Sequence, residues 1–183
     1  MQAPETAYIA LGANLGDRLG TMREAIARVA RIDGVTVTAV SSAYDTAPVG
    51  PPDQPRYLNA AAALSTRLAP TELLRELLRV ERDLGRDRSG SRWTARTIDL
   101  DLILFGECVA GGTHPGRPAE GPSGTPPEPA LELPHPRFRE RAFVLVPLAE
   151  IAPHARDPVT GEQVESLLRA CPGRADAIRV GPL

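Results

Sequence analysis

The residues from 97 to 105 read TIDLDLILF and constrain the fold of this chain more than any other stretch. Their apolar content and alternation predict a β-strand, in which successive side chains point to opposite faces. Asp99 and Asp101 then share one face, while Leu100 and Leu102 point into the core. Two neighbouring carboxylates repel each other, so we expect either arginines or hard divalent cations beside them. The spacing alone leaves both interpretations open.

The rest of the sequence predicts further strands and several helices. Apolar and β-branched runs predict strands at 7–11, 35–40 and 57–68. Apolar spacings of three and four residues predict helices at 19–32, 70–85, 139–151 and 164–169. We expect Thr71 to cap the second helix, with Glu72 in its first turn. Residues 41–55 contain five prolines or glycines and are expected to form a long loop.

One segment is unlike the rest of the chain in composition. Residues 111–130 contain 5 glycines and 6 prolines, and no apolar residue larger than alanine. Such a segment buries too little apolar surface to offset the entropy lost on ordering. We therefore expect a flexible surface insertion here.

Composition excludes several classes of protein. With 23 acidic and 21 basic residues, the net charge of −2 argues against binding nucleic acid by bulk charge. Every basic residue is arginine, which excludes a phosphate-loop or Schiff-base lysine. No apolar run approaches the roughly 20 residues of a membrane span. The two cysteines, Cys108 and Cys171, fit a reducing compartment, so we expect a cytoplasmic protein that binds neither nucleic acid nor membrane.

Seven of the 21 arginines lie between residues 75 and 96, close to the acidic strand. Three belong to the second helix and are expected to form a solvated face: Arg75, Arg79 and Arg82. Four belong to the loop that leads into the strand: Arg86, Arg88, Arg92 and Arg96. Guanidinium groups bind phosphate oxygens through paired hydrogen bonds, so these loop arginines and a Mg²⁺-binding carboxylate pair would form a polyphosphate site. Trp93 belongs to the same loop, and its side chain is expected either to pack in the core or to cover an aromatic ligand.

Two more positions have a structural and a functional interpretation. Glu81 lies on the apolar side of the second helix. It is either a buried residue paired with an arginine or a residue that contacts the ligand. His135 lies between two prolines. It is either a turn residue that hydrogen-bonds locally or a hydrogen-bond donor to a phosphate oxygen. In the second case, Arg141 would add positive charge and Phe143 a stacking face.

Several motifs occur in a fixed order. The sequence RWTARTIDLDLILFG at 92–106 is preceded by YIALGANLGDR at 8–18, DQP at 53–55 and YLN at 57–59, and is followed by 134–143. This set, over residues 7–153, resembles the 6-hydroxymethyl-7,8-dihydropterin pyrophosphokinase family. The resemblance implies an α+β ferredoxin-like sandwich, with a mainly antiparallel sheet and helices packed on its faces, in a single domain of residues 1–183. It also implies transfer of pyrophosphate from ATP to the pterin hydroxymethyl group with release of AMP, in folate biosynthesis. We expect a monomer.

The resemblance also implies roles for individual residues. Asp99 and Asp101 would hold two Mg²⁺ ions, and the rest of the implied catalytic set is Arg86, Arg96 and His135. The residues implied to bind ATP are Glu81, Arg86, Arg92, Arg96, Ile98, His135 and Arg141. The residues implied to bind the pterin are Thr46, Val49, Gly50, Tyr57, Asn59, Trp93, Asp99 and Phe143.

Two alternative functions fit parts of the same pattern. A different Mg²⁺-dependent transferase could use the same acidic strand, and a kinase of that kind would release ADP rather than AMP. A non-catalytic RNA-binding sheet would need a cluster of exposed strand aromatics. The chain has one Trp, three Tyr and three Phe, and no such cluster, so the second alternative is the weaker one.

Overall fold

The computed structural model describes residues 3–48, 55–86, 97–111 and 130–183. The strands are β1 (Glu5–Ala13), β2 (Val35–Val40), β3 (Ser42–Thr46), β4 (Tyr57–Thr66), β5 (Asp99–Phe105) and β6 (Ile178–Pro182). The helices are α1 (Arg18–Val29), α2 (Pro70–Asp83), α3 (Ala142–Ile151) and α4 (Val164–Ala170), with 3₁₀ turns at Phe138–Glu140 and Arg174–Asp176. All but the ends of the glycine- and proline-rich segment 111–130 lie outside the described residues.

The six strands form one antiparallel sheet in the order β5-β1-β4-β3-β6, and β2 also pairs with β4. β2 and β3 follow one another along β4: β2 pairs with its second half and β3 with its first. The chain order β1-α1-β2/β3-β4-α2-β5 and the central position of β1 and β4 give the ferredoxin-like arrangement. The predicted fold class is confirmed.

The sheet has an apolar core on each face. On one face, Leu11 and Leu100 pack in a cluster with Met22 of α1 and Leu77 of α2. On the other face, a smaller cluster contains alanines of β1 and β4 together with residues of α3 and α4.

Local sequence signals explain the limits of α2. The predicted cap at Thr71 is wrong, because Thr71 lies inside the helix. Ala69 precedes the helix and Pro70 begins it, and the Ala69 N–H donates to the Glu72 carboxylate at 2.9 Å. Proline suits the first helical position because its missing N–H would be unpaired there anyway. Gly85, with a φ of 81°, follows the helix and turns the chain away.

Two strands differ from the prediction. Residues 42–46 were expected in a loop but form β3, and β6 was not predicted at all. The apolar residues of β3, Ala43 and Tyr44, are adjacent and do not alternate, whereas β6 alternates Ile178 and Val180 with Arg179 but is short and mostly exposed at the edge of the sheet. β3 is held instead by its ladder with β4 and by Glu150, which accepts hydrogen bonds from the N–H and hydroxyl of Ser42 at 2.9 and 2.8 Å.

The remaining predicted helices are confirmed with small shifts. The helix expected at 139–151 begins as the 3₁₀ turn Phe138–Glu140 and becomes α3 at Ala142. The helices expected at 19–32 and 164–169 correspond to α1 and α4. Over the described part of the chain, none of the helices has the length and apolar character that crossing a membrane requires.

Candidate active site

The acidic pair lies at the beginning of β5, on the face of the sheet that α3 covers. Asp99 and Asp101 share this face, and the intervening Leu100 is buried in the opposite core, as the alternation predicts. Both acids lie beside small residues of β1, since Asp99 is in register with Gly12 and Asp101 with Ala10. The carboxylates are therefore not covered from that side by a bulky side chain.

Gly12 has a specific spatial role between two polar residues. It is in register with Asp99 on one side and with Asn59 of β4 on the other. A Cβ atom at position 12 would lie 3.3 Å from the Asn59 Oδ1 atom and 3.9 Å from the Asp99 Cβ atom. Glycine thus allows an amide and a carboxylate on the two strands that flank β1 to approach the same space.

Arg86 lies close to the acidic pair from the end of α2. Its Nη1 atom donates to Glu81 Oε1 at 2.6 Å, to the Ile98 carbonyl at 3.3 Å, and to Asp99 Oδ1. Burial acts to lower the pKa of Arg86, but the negative charge of Asp99, with that of Glu81, outweighs it and raises the pKa. Arg86 is therefore a permanent cation fixed at the acidic pair.

Glu81 has no exposed surface and holds the start of β5 in place. Its Oε1 atom accepts from Arg86 and, at 2.7 Å, from the backbone N–H of Leu100. The structure thus contains the buried Glu–Arg pair that was one of the two interpretations of this residue. A contact between Glu81 and a nucleotide stays a prediction.

The surroundings of the acidic pair disfavour the ionised form of Asp101. Burial raises the pKa of Asp101 to about 7, the charge of Asp99 adds to this effect, and Arg141 partly opposes it. A raised carboxyl pKa means that ionisation is costly without another cation nearby. Divalent cations would supply that charge.

The donor set also fits the coordination habits of magnesium. In the described residues there is no group of three His, Cys, Asp or Glu side chains that could hold a metal ion. Mg²⁺ commonly uses one or two protein carboxylates and takes its other ligands from substrate phosphates and water. Asp99 and Asp101 match that pattern.

His135 is attached to the same strand from the side of α3. Its backbone N–H donates to the Ile103 carbonyl at 2.9 Å, and its Nδ1 atom accepts from the Arg137 N–H at 3.3 Å. Burial, together with the charge of Arg141, lowers the pKa of His135 to about 4. The imidazole is therefore neutral near pH 7, and with Nδ1 as acceptor its proton is on Nε2. His135 is both a turn residue and a side chain with one N–H to donate.

The 3₁₀ turn and the start of α3 carry two more predicted residues. Arg141 immediately precedes α3, and its guanidinium carbon lies 5.6 Å from the centre of the Phe143 ring. The turn is anchored from behind by Arg139, whose Nε and Nη2 atoms donate to the Asp157 carboxylate at 2.6 and 2.8 Å. Asp157 is fully buried.

A neutral polar group lies on the other side of Gly12. Asn59 Nδ2 donates to Thr46 Oγ1 at 2.7 Å, and both side chains are buried. Thr46 is in register with the half-buried Tyr57, the first residue of β4. The structure therefore brings Thr46, Tyr57 and Asn59 together at one end of the β3–β4 ladder, and β1 lies between this ladder and the acids.

Some predicted residues cannot be placed in this arrangement. Val49, Gly50, Arg88, Arg92, Trp93 and Arg96 lie outside the described residues. Sequence reasoning missed three residues that support the site: Asp45, Glu150 and Asp157. Each accepts a hydrogen bond from a side chain 18 or more residues away in sequence, so no local spacing marks that contact.

The chain was then compared with known proteins. A family described as 7,8-dihydro-6-hydroxymethylpterin-pyrophosphokinase (HPPK) matches residues 8–153. The 2-amino-4-hydroxy-6-hydroxymethyldihydropteridine pyrophosphokinase of Pseudomonas aeruginosa is 41% identical over 165 residues, covering 90% of this chain and 91% of that protein. The protein of the same name from Bacillus subtilis is 42% identical over 159 residues, covering 87% of this chain and 85% of that protein.

The fold is also similar to that of solved structures. A crystal structure of Plasmodium falciparum HPPK-DHPS superposes with a TM-score of 0.69 at 12% sequence identity. The match covers 91% of this chain and 43% of that chain, so the present chain spans less than half of the larger protein. At this identity the superposition supports the fold alone.

Proposed function

Because the chain belongs to the 7,8-dihydro-6-hydroxymethylpterin-pyrophosphokinase family, we propose that it transfers pyrophosphate from ATP to the hydroxymethyl group of 6-hydroxymethyl-7,8-dihydropterin, releasing AMP, in folate biosynthesis. One observation carries the proposal. Across Gly12 of β1, the carboxylate of Asp99 on β5 and the amide of Asn59 on β4 lie on the same face of the sheet. A cation-binding pair beside a neutral hydrogen-bonding group suits a donor polyphosphate and a flat heterocycle that must react with each other.

Asp99 and Asp101 would hold Mg²⁺, and we propose two ions. The metal would neutralise phosphate charge and help to orient the two substrates. This role agrees with the raised pKa of Asp101, which results first from burial and then from the charge of Asp99, because a bound cation would offset both effects. The protein would need to supply little covalent chemistry, because phosphoryl transfer depends mainly on placement and charge neutralisation.

The surrounding residues would bind and orient the triphosphate. Arg86 is fixed beside Asp99 and would attract phosphate oxygens, and Arg141 would do so from the start of α3. The neutral His135 would donate its Nε2 proton to a phosphate oxygen without adding charge. Arg92 and Arg96 would complete the phosphate contacts, and Glu81 and Ile98 would lie near the nucleoside.

The residues around Asn59, on the other side of Gly12 from the acids, would recognise the pterin. Tyr57 and Phe143 would face the ring, while Asn59, Thr46 and the backbone at Val49 and Gly50 would hydrogen-bond to its edge. Trp93 would cover the ring. A buried amide selects strongly, because a ligand without the matching groups would leave it unpaired.

Analysis of the products tests the proposal directly. The purified protein would be incubated with ATP, MgCl₂ and 6-hydroxymethyl-7,8-dihydropterin, and the nucleotide products separated by ion-exchange chromatography. We expect AMP and the pterin pyrophosphate in equal amounts. Formation of ADP would instead identify a single-phosphoryl transferase that uses the same acidic strand. A reaction without MgCl₂ and with EDTA serves as the control for the metal.

We also propose that the protein works as a cytoplasmic monomer. The two cysteines, Cys108 and Cys171, are unpaired thiols, as a reducing compartment favours. Light scattering coupled to gel filtration would measure the mass in solution, and a mass near 19.5 kDa is expected for the monomer.

A further inference from the structure

Three charged residues form a cluster behind the proposed pterin site, which we call the Asp45 cluster: Arg18, Asp45 and Arg56. The Asp45 carboxylate accepts from Arg18 Nη1 at 3.3 Å and from Arg56 Nε. Arg18 is the first residue of α1, Asp45 belongs to β3, and Arg56 immediately precedes β4. One carboxylate therefore joins a helix and two strands.

The two guanidinium groups also contact the backbone. Arg18 Nη1 donates to the Arg56 carbonyl at 2.8 Å, and Arg56 Nη2 donates to the Asp45 carbonyl at 3.4 Å. The cluster thus connects β3 and β4 near the last pair of their ladder, which is Thr46 with Tyr57. Among the residues that the structure describes, this pair is the last of the ladder.

The position of the cluster in the sheet separates it from direct ligand contact. Asp45 is in register with Leu58, whose side chain packs into the core beneath α1 and α2. Thr46 and Tyr57, the neighbours of Asp45 and Arg56 in sequence, point to the opposite face, where Asn59 contacts Thr46. Asp45 can therefore affect a ligand on that face only through the backbone.

The exposure of the cluster indicates that its effect is local. The side chains of Arg18 and Arg56 are 33% and 46% exposed, and that of Asp45 is 20% exposed. Ion pairs of this kind contribute little to global stability. Near the end of a ladder, however, the same contacts limit how far the last pair of residues can move.

We propose that Asp45 is a positioning residue for the pterin: through Arg18 and Arg56 it fixes the Thr46–Tyr57 pair from behind, and its charge is required for full pterin affinity. This inference rests on the proposed function, since it concerns the same pterin site. It assigns no contact between Asp45 and a substrate.

The test compares Asp45→Asn with the unmodified protein. In steady-state assays the KM for the pterin is expected to rise about 10-fold, a change within the range of coupling between contacting residues. The KM for ATP and kcat should stay within about twofold, since the acidic pair lies two strands away. Asp33→Asn, an exposed acid in the turn after α1, is the matched control and should change none of these values.

Two further variants separate positioning from a general loss of structure. Arg56→Gln should raise the pterin KM in the same direction, and the Asp45→Asn/Arg56→Gln double variant should be less impaired than the sum of the single effects. Asp45→Glu, which keeps the charge, should recover most of the affinity. Additive losses, or an equal rise in both KM values, would overturn the proposal.

Calorimetric titration of the pterin distinguishes the two levels of inference. If the unmodified protein binds no pterin, both the proposed function and the positioning role of Asp45 are wrong. If the unmodified protein binds the pterin and Asp45→Asn binds it equally well, only the positioning role fails. Weaker binding by Asp45→Asn, with Asp45→Glu near the unmodified affinity, supports it.

Discussion

The two sides of Gly12 use different physical chemistry. On one side, Asp99, Asp101 and Arg86 form a group of charges, here called the charged half. On the other side, Thr46 and Asn59 form a buried, uncharged hydrogen bond, and with Tyr57 they are here called the neutral half. The two halves belong to the same sheet, and β1 with its Gly12 lies between them.

The difference shows how one sheet can place two kinds of chemistry beside each other. The charged half needs low exposure to strengthen its interactions, and α2 provides Glu81 to hold Arg86 in that environment. The neutral half needs donors and acceptors of fixed direction, and the β3–β4 ladder provides them. In the charged half the supporting contacts are ionic and buried, whereas in the neutral half the supporting Asp45 cluster is ionic and partly exposed.

The strongest test of this division is Asp101→Ala. It should lower kcat on the order of 10³-fold, because the cations bound by the acidic pair would supply several kcal/mol of charge stabilisation. Calorimetric binding of the pterin without ATP should be unchanged within about twofold, because the neutral half keeps its contacts. Circular dichroism would check that the variant is folded. Retained turnover would contradict the role given to the charged half.

A smaller effect is expected from Asn59→Ala. The variant removes a buried amide and leaves the Thr46 hydroxyl without its donor, so we expect the pterin Kd to rise about 10- to 100-fold, equivalent to a cost of about 1–3 kcal/mol. The Kd of a non-hydrolysable ATP analogue with Mg²⁺ should stay the same. If both ligands were weakened equally, the two halves would not be separable.

The charged half was the easier one to predict from the sequence, for a physical reason. Its strand buries apolar residues on both sides of Asp99 and Asp101, so local alternation alone fixes which way the acids point. The loop arginines were also recognisable as a group, but the partner of Arg86 was not. Glu81 is five residues earlier, and only the turn at Gly85 brings their side chains together.

The neutral half depends on long-range register, which no local pattern encodes. β3 was expected in a loop because residues 41–55 contain five prolines or glycines, and its place in the sheet is supported by Glu150, 108 residues away from Ser42 in sequence. The edge strand β6 was missed because it is short and mostly exposed and therefore buries little apolar surface. Thr46, Tyr57 and Asn59 were found through the family resemblance, whereas the Asp45 cluster became visible only in three dimensions.

The smallest expected effect concerns the stability of the fold at acid pH, which should depend on a residue of the charged side and not on the neutral half. Burial acts to raise the pKa of Asp157, but hydrogen bonds from Arg139, the Val159 N–H and the Thr160 hydroxyl outweigh it, so the folded-state pKa lies below the ordinary value of 3.8. A carboxyl group with a depressed pKa stabilises the fold at pH values above its unfolded-state pKa. That contribution is lost as the pH falls through the folded-state pKa.

Urea unfolding at pH 7, 5, 4 and 3 would measure this contribution in the unmodified protein and in Asp157→Asn. The variant should be less stable at pH 7, and the difference in the free energy of unfolding should shrink below pH 4. Because Arg139 and Asp157 anchor the turn that carries His135 and Arg141, this acid sensitivity belongs to the charged side of the site. Asn59→Ala should show no such convergence, since neither Asn59 nor Thr46 titrates; a difference independent of pH in Asp157→Asn would contradict the prediction.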